Sequence, residues 1–156
     1  MTHVTNSTLD RSPVVSALTG HVSDAAVIYQ RLRAFHWMVR GSAFFQLHTF
    51  FEEQYDQWAQ AIDDLAERVV ALGGRPPLTL EQMHAGASLR ESASVPGAKE
   101  MVRAYHSDLE QMREALAVTI ALADEEADRS TVNLLDGLRD NVEKTLWMLG
   151  AFLSEK

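Results

Sequence analysis

Apolar residues recur at steps of three and four positions through most of the chain, and no stretch alternates between apolar and polar residues for long enough to indicate a strand. This pattern predicts an all-α protein. We expect four long helices, at about 12–40, about 42–72, about 98–124 and from a cap at Ser130 towards the end of the chain.

The helix breaks predict how these four helices are connected. Gly41 ends the first helix, and the run from Gly73 to Pro77 ends the second. The segment 75–96 is rich in breakers, but Thr79 followed by Gln82 is a possible capping box for a short helix. Such a long crossover lets the third helix run parallel to the second. The predicted fold is therefore a ferritin-like four-helix bundle with a short helix in the crossover between helices two and three.

Length, composition and charge limit the class of protein. With 156 residues and 46% hydrophobic residues, we expect one domain at 12–156 behind a short flexible tail at 1–11. No apolar run approaches the roughly 20 residues that a membrane span needs. The start lacks the pattern of a secretory signal and the chain has no cysteine, so we expect a cytoplasmic protein. The net charge of -8 favours cations over polyphosphates as partners.

Two histidines stand near the predicted turn between the first two helices. His36 precedes the turn at Gly41 by about as many residues as His48 follows it, so both should lie at the same height on neighbouring helices. A single histidine in an amphipathic helix is more often structural than a metal ligand. Convergence of two makes a metal site the better hypothesis.

Carboxylates extend this site along the second helix. Glu52 lies one turn beyond His48, and Glu67 lies one turn beyond Asp63, so all four occupy a second face beside the apolar one. Carboxylates on a helix usually form only a solvated face. His48 and Asp63 are roughly 22 Å apart along the axis at 1.5 Å per residue, too far for one metal site. An antiparallel second copy would complete two equivalent sites, and the small Ala59 would allow the helices to approach closely.

The types of ligand narrow the choice of metal. Imidazole and carboxylate together suit iron, zinc or manganese, whereas the lack of cysteine argues against a structural zinc site. Redox chemistry on iron is the most economical interpretation of this set of ligands.

One stretch also resembles a known family. HWMVRGSAFFQLHTFFEEQYDQWAQAIDDLAERVVALGG, from residue 36, closely resembles the signature of the Dps family, the miniferritins named as DNA-binding proteins from starved cells. TLWMLGAFL, near the end, is similar to the family's last helix, so the resemblance covers the chain from about residue 14. It implies a cage of twelve subunits that oxidises ferrous iron with hydrogen peroxide or dioxygen at two-fold interfaces, stores ferric mineral and protects against oxidative damage.

The resemblance also implies roles for single residues. His36 and His48 would be ligands from one subunit, with Asp63 and Glu67 supplied by its neighbour. The position of Glu52 is often aspartate in the family, which leaves its role less defined. Trp37 is similar to a family tryptophan suggested to take up oxidising equivalents, although a packed core aromatic is an equal interpretation.

Other candidate ligands carry less weight. Glu81 and His84 have the Glu-x-x-His spacing of di-iron bundles, but that spacing occurs once, on a short crossover helix. His21 and His106 lack matching carboxylates, so core or surface roles are expected, and His3 belongs to the tail.

An acidic run at 124–128 precedes the fourth helix, where the family commonly builds acidic pores at three-fold axes. Such a run is usually a solvated loop. Asp124 fits the pore pattern, but Arg129 and Asn133 stand where some relatives place aspartates. A pore is therefore expected without defined residues.

The alternative function is a nucleoid-associated DNA-binding protein in which iron chemistry is secondary. Many members of the family condense DNA through lysine-rich tails. Here the tail through Arg11 contains one arginine, one aspartate and no lysine, so we expect weak DNA binding. A third hypothesis, a helical assembly without metal chemistry, would leave the histidine and carboxylate geometry unexplained.

Overall fold

The computed structural model describes residues 12–154, which contain helices and no strand. The expected tail at 1–11 lies outside the described residues. Five helices follow one another along the chain: α1 Pro13–Met38, α2 Phe44–Ala71, α3 Leu80–Gly86, α4 Ala98–Glu125 and α5 Arg129–Leu153. This confirms the all-α four-helix bundle with a short helix in its crossover. Within the described part of the chain, no helix has an apolar stretch long enough to cross a membrane.

Local signals explain how α1 begins and how the chain turns into α2. The Ser12 side chain accepts a hydrogen bond from the Val15 N–H at 3.5 Å, and Pro13 occupies the first helical position. The helix ends at Met38, slightly before the predicted end near residue 40. Gly41 then adopts φ +104, which side-chain-bearing residues rarely do. The chain therefore reverses within 39–43, and α1 and α2 pack as a hairpin.

The predicted cap of the last helix is wrong by two residues. The N-cap is Asp128, whose carboxylate accepts a hydrogen bond from the Thr131 N–H at 3.1 Å, and Ser130 lies inside the helix. Aspartate caps as well as serine does, and the left-handed Ala127, at φ 57, already turns the chain out of α4. The connection between α4 and α5 is consequently shorter than the sequence predicted.

The core lies between the four long helices. The helix α1 packs against α2 and α4, and α4 packs against α5. Each long helix contributes side chains with no exposed surface, for example Leu18, Phe51, Leu109 and Leu135. Burying one such side chain stabilises the fold by roughly 1.5–3 kcal/mol. The packed core therefore supports the surfaces at the ends and sides of the bundle.

Buried polar groups on α1 hold the crossover and α4 in place. The Asp24 carboxylate accepts hydrogen bonds from the backbone N–H groups of Ser88 at 2.7 Å and Leu89 at 2.9 Å. Two turns further along α1, Arg31 pairs with Asp108 of α4 at 2.9 Å. Burial raises the pKa of Asp108 to about 6, although the Arg31 guanidinium opposes that rise. These contacts fix where the crossover and α4 pack against α1.

Candidate metal centre

The two predicted histidines meet across the α1–α2 hairpin. His36 is in the last turn of α1, His48 is in the second turn of α2, and both are half-buried. The rings stack with centroids 3.7 Å apart and an interplanar angle of 15°. The predicted convergence of the histidines on neighbouring helices is therefore present in the fold.

Reciprocal hydrogen bonds fix the protonation of both rings. His36 Nδ1 lies 2.7 Å from the carbonyl oxygen of His48, and His48 Nδ1 lies 2.8 Å from the carbonyl oxygen of His36. A carbonyl oxygen can only accept a hydrogen bond, so both Nδ1 atoms must carry the proton. In the neutral ring the Nε2 atom then keeps its lone pair. This is the form in which histidine binds metals, with Nδ1–H held by a backbone carbonyl.

Two aromatic side chains support these rings, and the sequence analysis assigned neither to the site. Tyr55 meets the His36 ring edge-on, with centroids 5.4 Å apart, and Phe44 stacks on His48 at 5.0 Å. The available signal was spacing, because Tyr55 follows His48 by two helical turns. Desolvation, followed by the charges of Glu52 and Asp56, raises the pKa of Tyr55, so its side chain is a neutral phenol.

Glu52 lies on the histidine end of α2, one turn after His48. Its side chain is exposed and forms no hydrogen bond or ion pair with the rest of residues 12–154. Its carboxylate is therefore not engaged elsewhere in this part of the chain.

Asp63 and Glu67 lie farther along the same uninterrupted helix, roughly 22 Å from His48 at 1.5 Å per residue. Both are exposed, and neither forms a hydrogen bond or ion pair with the described part of the chain. Across residues 12–154, no three histidine or carboxylate side chains converge on a common point. One chain therefore brings the two histidines together but leaves these two carboxylates at a distance.

Trp37 does not belong to the core of a single chain. Its side chain is 57% exposed, and the Arg33 guanidinium carbon lies 5.1 Å from the centre of its ring. Arg33 also lies 5.4 Å from the ring of Tyr29. The indole is therefore beside the histidine pair in sequence, yet it is open to solvent or to a second chain.

The remaining histidines occupy other surroundings. His21 is buried, and its Nε2 lies 2.7 Å from the hydroxyl of Thr119, so it has a core role as expected. His84 pairs with Glu91 at 2.8 Å on the exposed surface of the crossover, and its spacing partner Glu81 is exposed too. His106 is half-buried on α4. Within the described residues, none of these histidines joins a cluster that could hold a metal.

Two carboxylates of the acidic run between α4 and α5 form ion pairs within the chain. Asp128 caps α5 and pairs with Arg68 at 2.7 Å, and Asp124 pairs with Arg129 at 2.8 Å. Partial burial opposes ionisation of Asp128, but hydrogen bonds from Thr131 and the charge of Arg68 outweigh it and lower the pKa. The carboxylates of 125 and 126 are exposed. Asp128 is thus a cap rather than a free pore carboxylate within one chain.

Comparison with known proteins agrees with the fold. The model of the ferritin-like domain matches residues 15–156. A DNA protection during starvation protein of Bacillus anthracis is 39% identical over 142 residues, covering 91% of this chain and 97% of the relative. A crystal structure of a Dps protein from Bacillus brevis is 40% identical, with a TM-score of 0.88, covering 90% of this chain and 95% of its own.

A solved structure with lower sequence identity belongs to a protein that is described with its superfamily. The Dps protein from Vibrio cholerae O1, described as a member of a broad superfamily of ferritin-like diiron-carboxylate proteins, is 28% identical with a TM-score of 0.88. It covers 90% of this chain and 89% of its own. The match to the ferritin-like model and the identity to Dps proteins extend along nearly the whole sequence. The chain therefore belongs to the Dps family of ferritin-like proteins.

Proposed function

We propose that this protein is a ferroxidase that oxidises ferrous iron at sites shared between two chains and stores the ferric product in a cage. Membership of the Dps family supports iron storage and protection of DNA as its broad role. The observation that carries the finer proposal is the division of ligands along α2. The histidine pair is assembled at one end, and Asp63 and Glu67 are free at the other.

A two-fold axis near the middle of α2 would join the two ends. In an antiparallel pair, the histidine end of each helix faces the Asp63 end of the partner, and each pair of chains gains two equivalent sites. The half-buried Ala59 lies between the two ends, where its small side chain permits close approach of the helices. Each site would then contain His36, His48 and Glu52 of one chain with Asp63 and Glu67 of the second.

The ligands have distinct tasks in the oxidation. The two Nε2 lone pairs bind ferrous iron, which imidazole ligands suit. The carboxylates supply negative charge as the iron becomes ferric, so they favour the oxidised product. Two ferrous ions give one electron each to one hydrogen peroxide, which takes two protons and becomes two waters. Dioxygen is the other oxidant in the proposal.

Trp37 is proposed to act when a single ferrous ion reacts. Peroxide then lacks a second electron, and an indole beside His36 can give one, becoming a radical cation while peroxide is reduced fully to water. The exposure of the ring and its contact with the Arg33 guanidinium distinguish Trp37 from a core aromatic. This role keeps reactive oxygen species from leaving the site.

DNA binding is the second candidate function, supported by the name of the Bacillus anthracis relative. The net charge of -8 opposes binding to the phosphate backbone, since each phosphate contact needs a cation from the protein. We therefore propose weak DNA binding. A shift assay at neutral pH and moderate salt tests it, and tight, length-dependent condensation would show that the assembled surface offers cations that the net charge does not reveal.

Anaerobic loading with ferrous iron, followed by peroxide, tests the ferroxidase proposal. We expect rapid formation of ferric iron, with two iron atoms oxidised for each peroxide consumed. His48→Ala should abolish the rapid phase. His106→Ala, which removes a half-buried histidine outside the candidate centre, should retain it. Oxidation no faster than in protein-free buffer would reject the proposal.

Assembly is tested separately by sedimentation. A closed cage of twelve chains should sediment near twelve times 17.4 kDa at neutral pH. A stable monomer would reject the shared site, because a single chain leaves Asp63 and Glu67 far from the histidines.

A further inference from the structure

A pocket of about 500 Å³ lies between the first half of α1 and the crossover, away from the candidate metal centre. Its wall on α1 carries the hydroxyls of Ser16, Thr19 and Ser23, and the crossover contributes Arg75 and Gln82. Ser23 precedes His36 by thirteen positions, which is roughly 20 Å along the helix. The pocket is therefore distinct from the site proposed for iron.

Two glycines shape this pocket: Gly20 leaves space on the α1 side, and Gly86 lets α3 approach Ser23 closely. Ser16, Thr19 and Ser23 follow helical spacing, so their side chains share one face of α1. A Cβ added at Gly20 would meet no atom within 4 Å, so this glycine leaves free space between the hydroxyls. At the base of the pocket, a Cβ added at Gly86 would lie 2.8 Å from the Ser23 hydroxyl. Glycine at 86 therefore allows α3 to sit directly over Ser23.

Several hydrogen-bond donors in the pocket lack acceptors, whereas the Thr19 hydroxyl already donates to the Val15 carbonyl oxygen at 2.9 Å. Ser23 is 1% exposed, and its hydroxyl has no hydrogen-bond partner in residues 12–154. Arg75 forms no ion pair with the described part of the chain. Gln82 accepts a hydrogen bond from the Leu78 N–H at 2.7 Å through Oε1, so its NH₂ group remains available as a donor. A buried hydroxyl without a partner is costly and rare, so a ligand with several acceptors fits this set of donors.

The charge of the pocket indicates the class of ligand. The chain contains 22 acidic residues, yet none of them lines the pocket, and its one charged side chain is Arg75. A guanidinium presents several N–H groups in a fixed fork that matches the oxygens of a phosphate. We propose that this pocket binds a small phosphate-class oxyanion through Arg75, Gln82 and the Ser23 hydroxyl, independently of iron oxidation.

The same chemistry is offered by inorganic phosphate and by a phosphate monoester. The volume exceeds that of a bare phosphate, and Pro76 and Pro77 form an apolar wall beside Arg75. A monoester with a short organic group would use that wall, whereas inorganic phosphate would use only the polar donors. Tighter binding of glycerol phosphate than of phosphate would identify the monoester as the ligand, and the reverse order would identify the free anion.

Calorimetric titration of the full-length, iron-free protein in phosphate-free buffer tests the proposal. We expect saturable binding of inorganic phosphate or glycerol phosphate with one site per chain. Arg75→Gln should weaken that binding roughly tenfold or more, since it removes charge-assisted hydrogen bonds. Arg113→Gln removes the same charge from α4 outside the pocket and should leave binding unchanged. Absence of saturable binding, or equal loss in both variants, would overturn the proposal.

Ser23→Ala separates a binding role from a structural one. The substitution removes an unpartnered buried hydroxyl, so the Tm of the ligand-free protein should stay the same or rise. The increase in Tm that phosphate causes in the parent protein should become smaller. A variant that keeps the full phosphate-induced increase would show that Ser23 does not contact the anion and would overturn its place in the proposed site.

Discussion

Both ends of α2 carry candidate metal ligands, but the two ends differ in how many contacts those side chains make within the chain. At the N-terminal end, His48 is stacked on His36, hydrogen-bonded to a carbonyl and flanked by Phe44. Towards the C-terminal end, Asp63 and Glu67 are exposed and form no hydrogen bond or ion pair with the described part of the chain. One end is organised by contacts within its own chain, whereas the other is not.

The difference follows from charge. A neutral imidazole can be packed and hydrogen-bonded in the absence of metal at little cost, so the hairpin can organise it in advance. Two carboxylates close together repel each other unless a cation lies between them. Their neighbours show that the helix could have engaged them, since Asp64 accepts a hydrogen bond from Gln60 and Arg68 pairs with Asp128. Asp63 and Glu67 are therefore acidic side chains of this part of α2 that remain unpaired within the described part of the chain.

Mixing two inactive variants tests most directly whether the two ends act together. We expect His48→Ala and Asp63→Asn each to abolish rapid iron oxidation, because every site in either assembly lacks a ligand. In a dimer with one chain of each, one site lacks both residues and the other is intact. Activity should recover towards half of the sites, as measured by peroxide-driven formation of ferric iron.

The control for this experiment is wild-type protein unfolded and reassembled in the same way. Mixed assembly must be verified, for example with a mass tag on one variant. If verified mixed assemblies remain as inactive as their parents, the histidines and carboxylates do not share a site, and the two ends of α2 do not act together in iron oxidation.

The stability of the iron-free protein provides the second test. His48→Ala removes the stacked ring and the hydrogen bond to the His36 carbonyl, so it should lower the free energy of unfolding by about 1–3 kcal/mol. Asp63→Asn changes an exposed group without a hydrogen bond and should stay within about 0.5 kcal/mol of the parent. Thermal or denaturant unfolding of the two variants measures the contrast. Equal destabilisation would mean that the carboxylate end is also organised before metal binds.

The sequence predicted the scaffold better than the surroundings of the site. Helical periodicity located all four long helices, and Gly41 marked the turn that brings His36 to His48. The contact of Tyr55 with His36 was not predicted, because periodicity shows which face a residue occupies but not which ring it touches. Ser130 was taken for the cap because both serine and aspartate cap helices, and only the hydrogen bond to Thr131 decides between them.

The support that Tyr55 gives to His36 can be tested without removing a ligand. Tyr55→Phe keeps the ring edge against the imidazole and should retain the parent's oxidation rate. Tyr55→Leu removes that edge, so the His36 ring is less restrained, and we expect a loss of about tenfold, as for groups that orient a metal ligand. Stopped-flow oxidation of ferrous iron compares the two variants. A tenfold loss in Tyr55→Phe would show instead that the phenol hydroxyl takes part.

Glu52 should produce the smallest effect, because it is the exposed carboxylate on the organised end of α2. Glu52→Asp keeps the charge but shortens the side chain by one methylene, so an iron bound beside His48 is held at a changed distance. We expect the rate of ferrous oxidation to change by less than about tenfold, which corresponds to 1.4 kcal/mol or less in the barrier. Glu53→Asp is the matched control, since it is the adjacent exposed glutamate and should leave the rate unchanged. If both variants behave like the parent while Glu52→Gln is also fully active, Glu52 is not a ligand and the organised end consists of the two histidines alone.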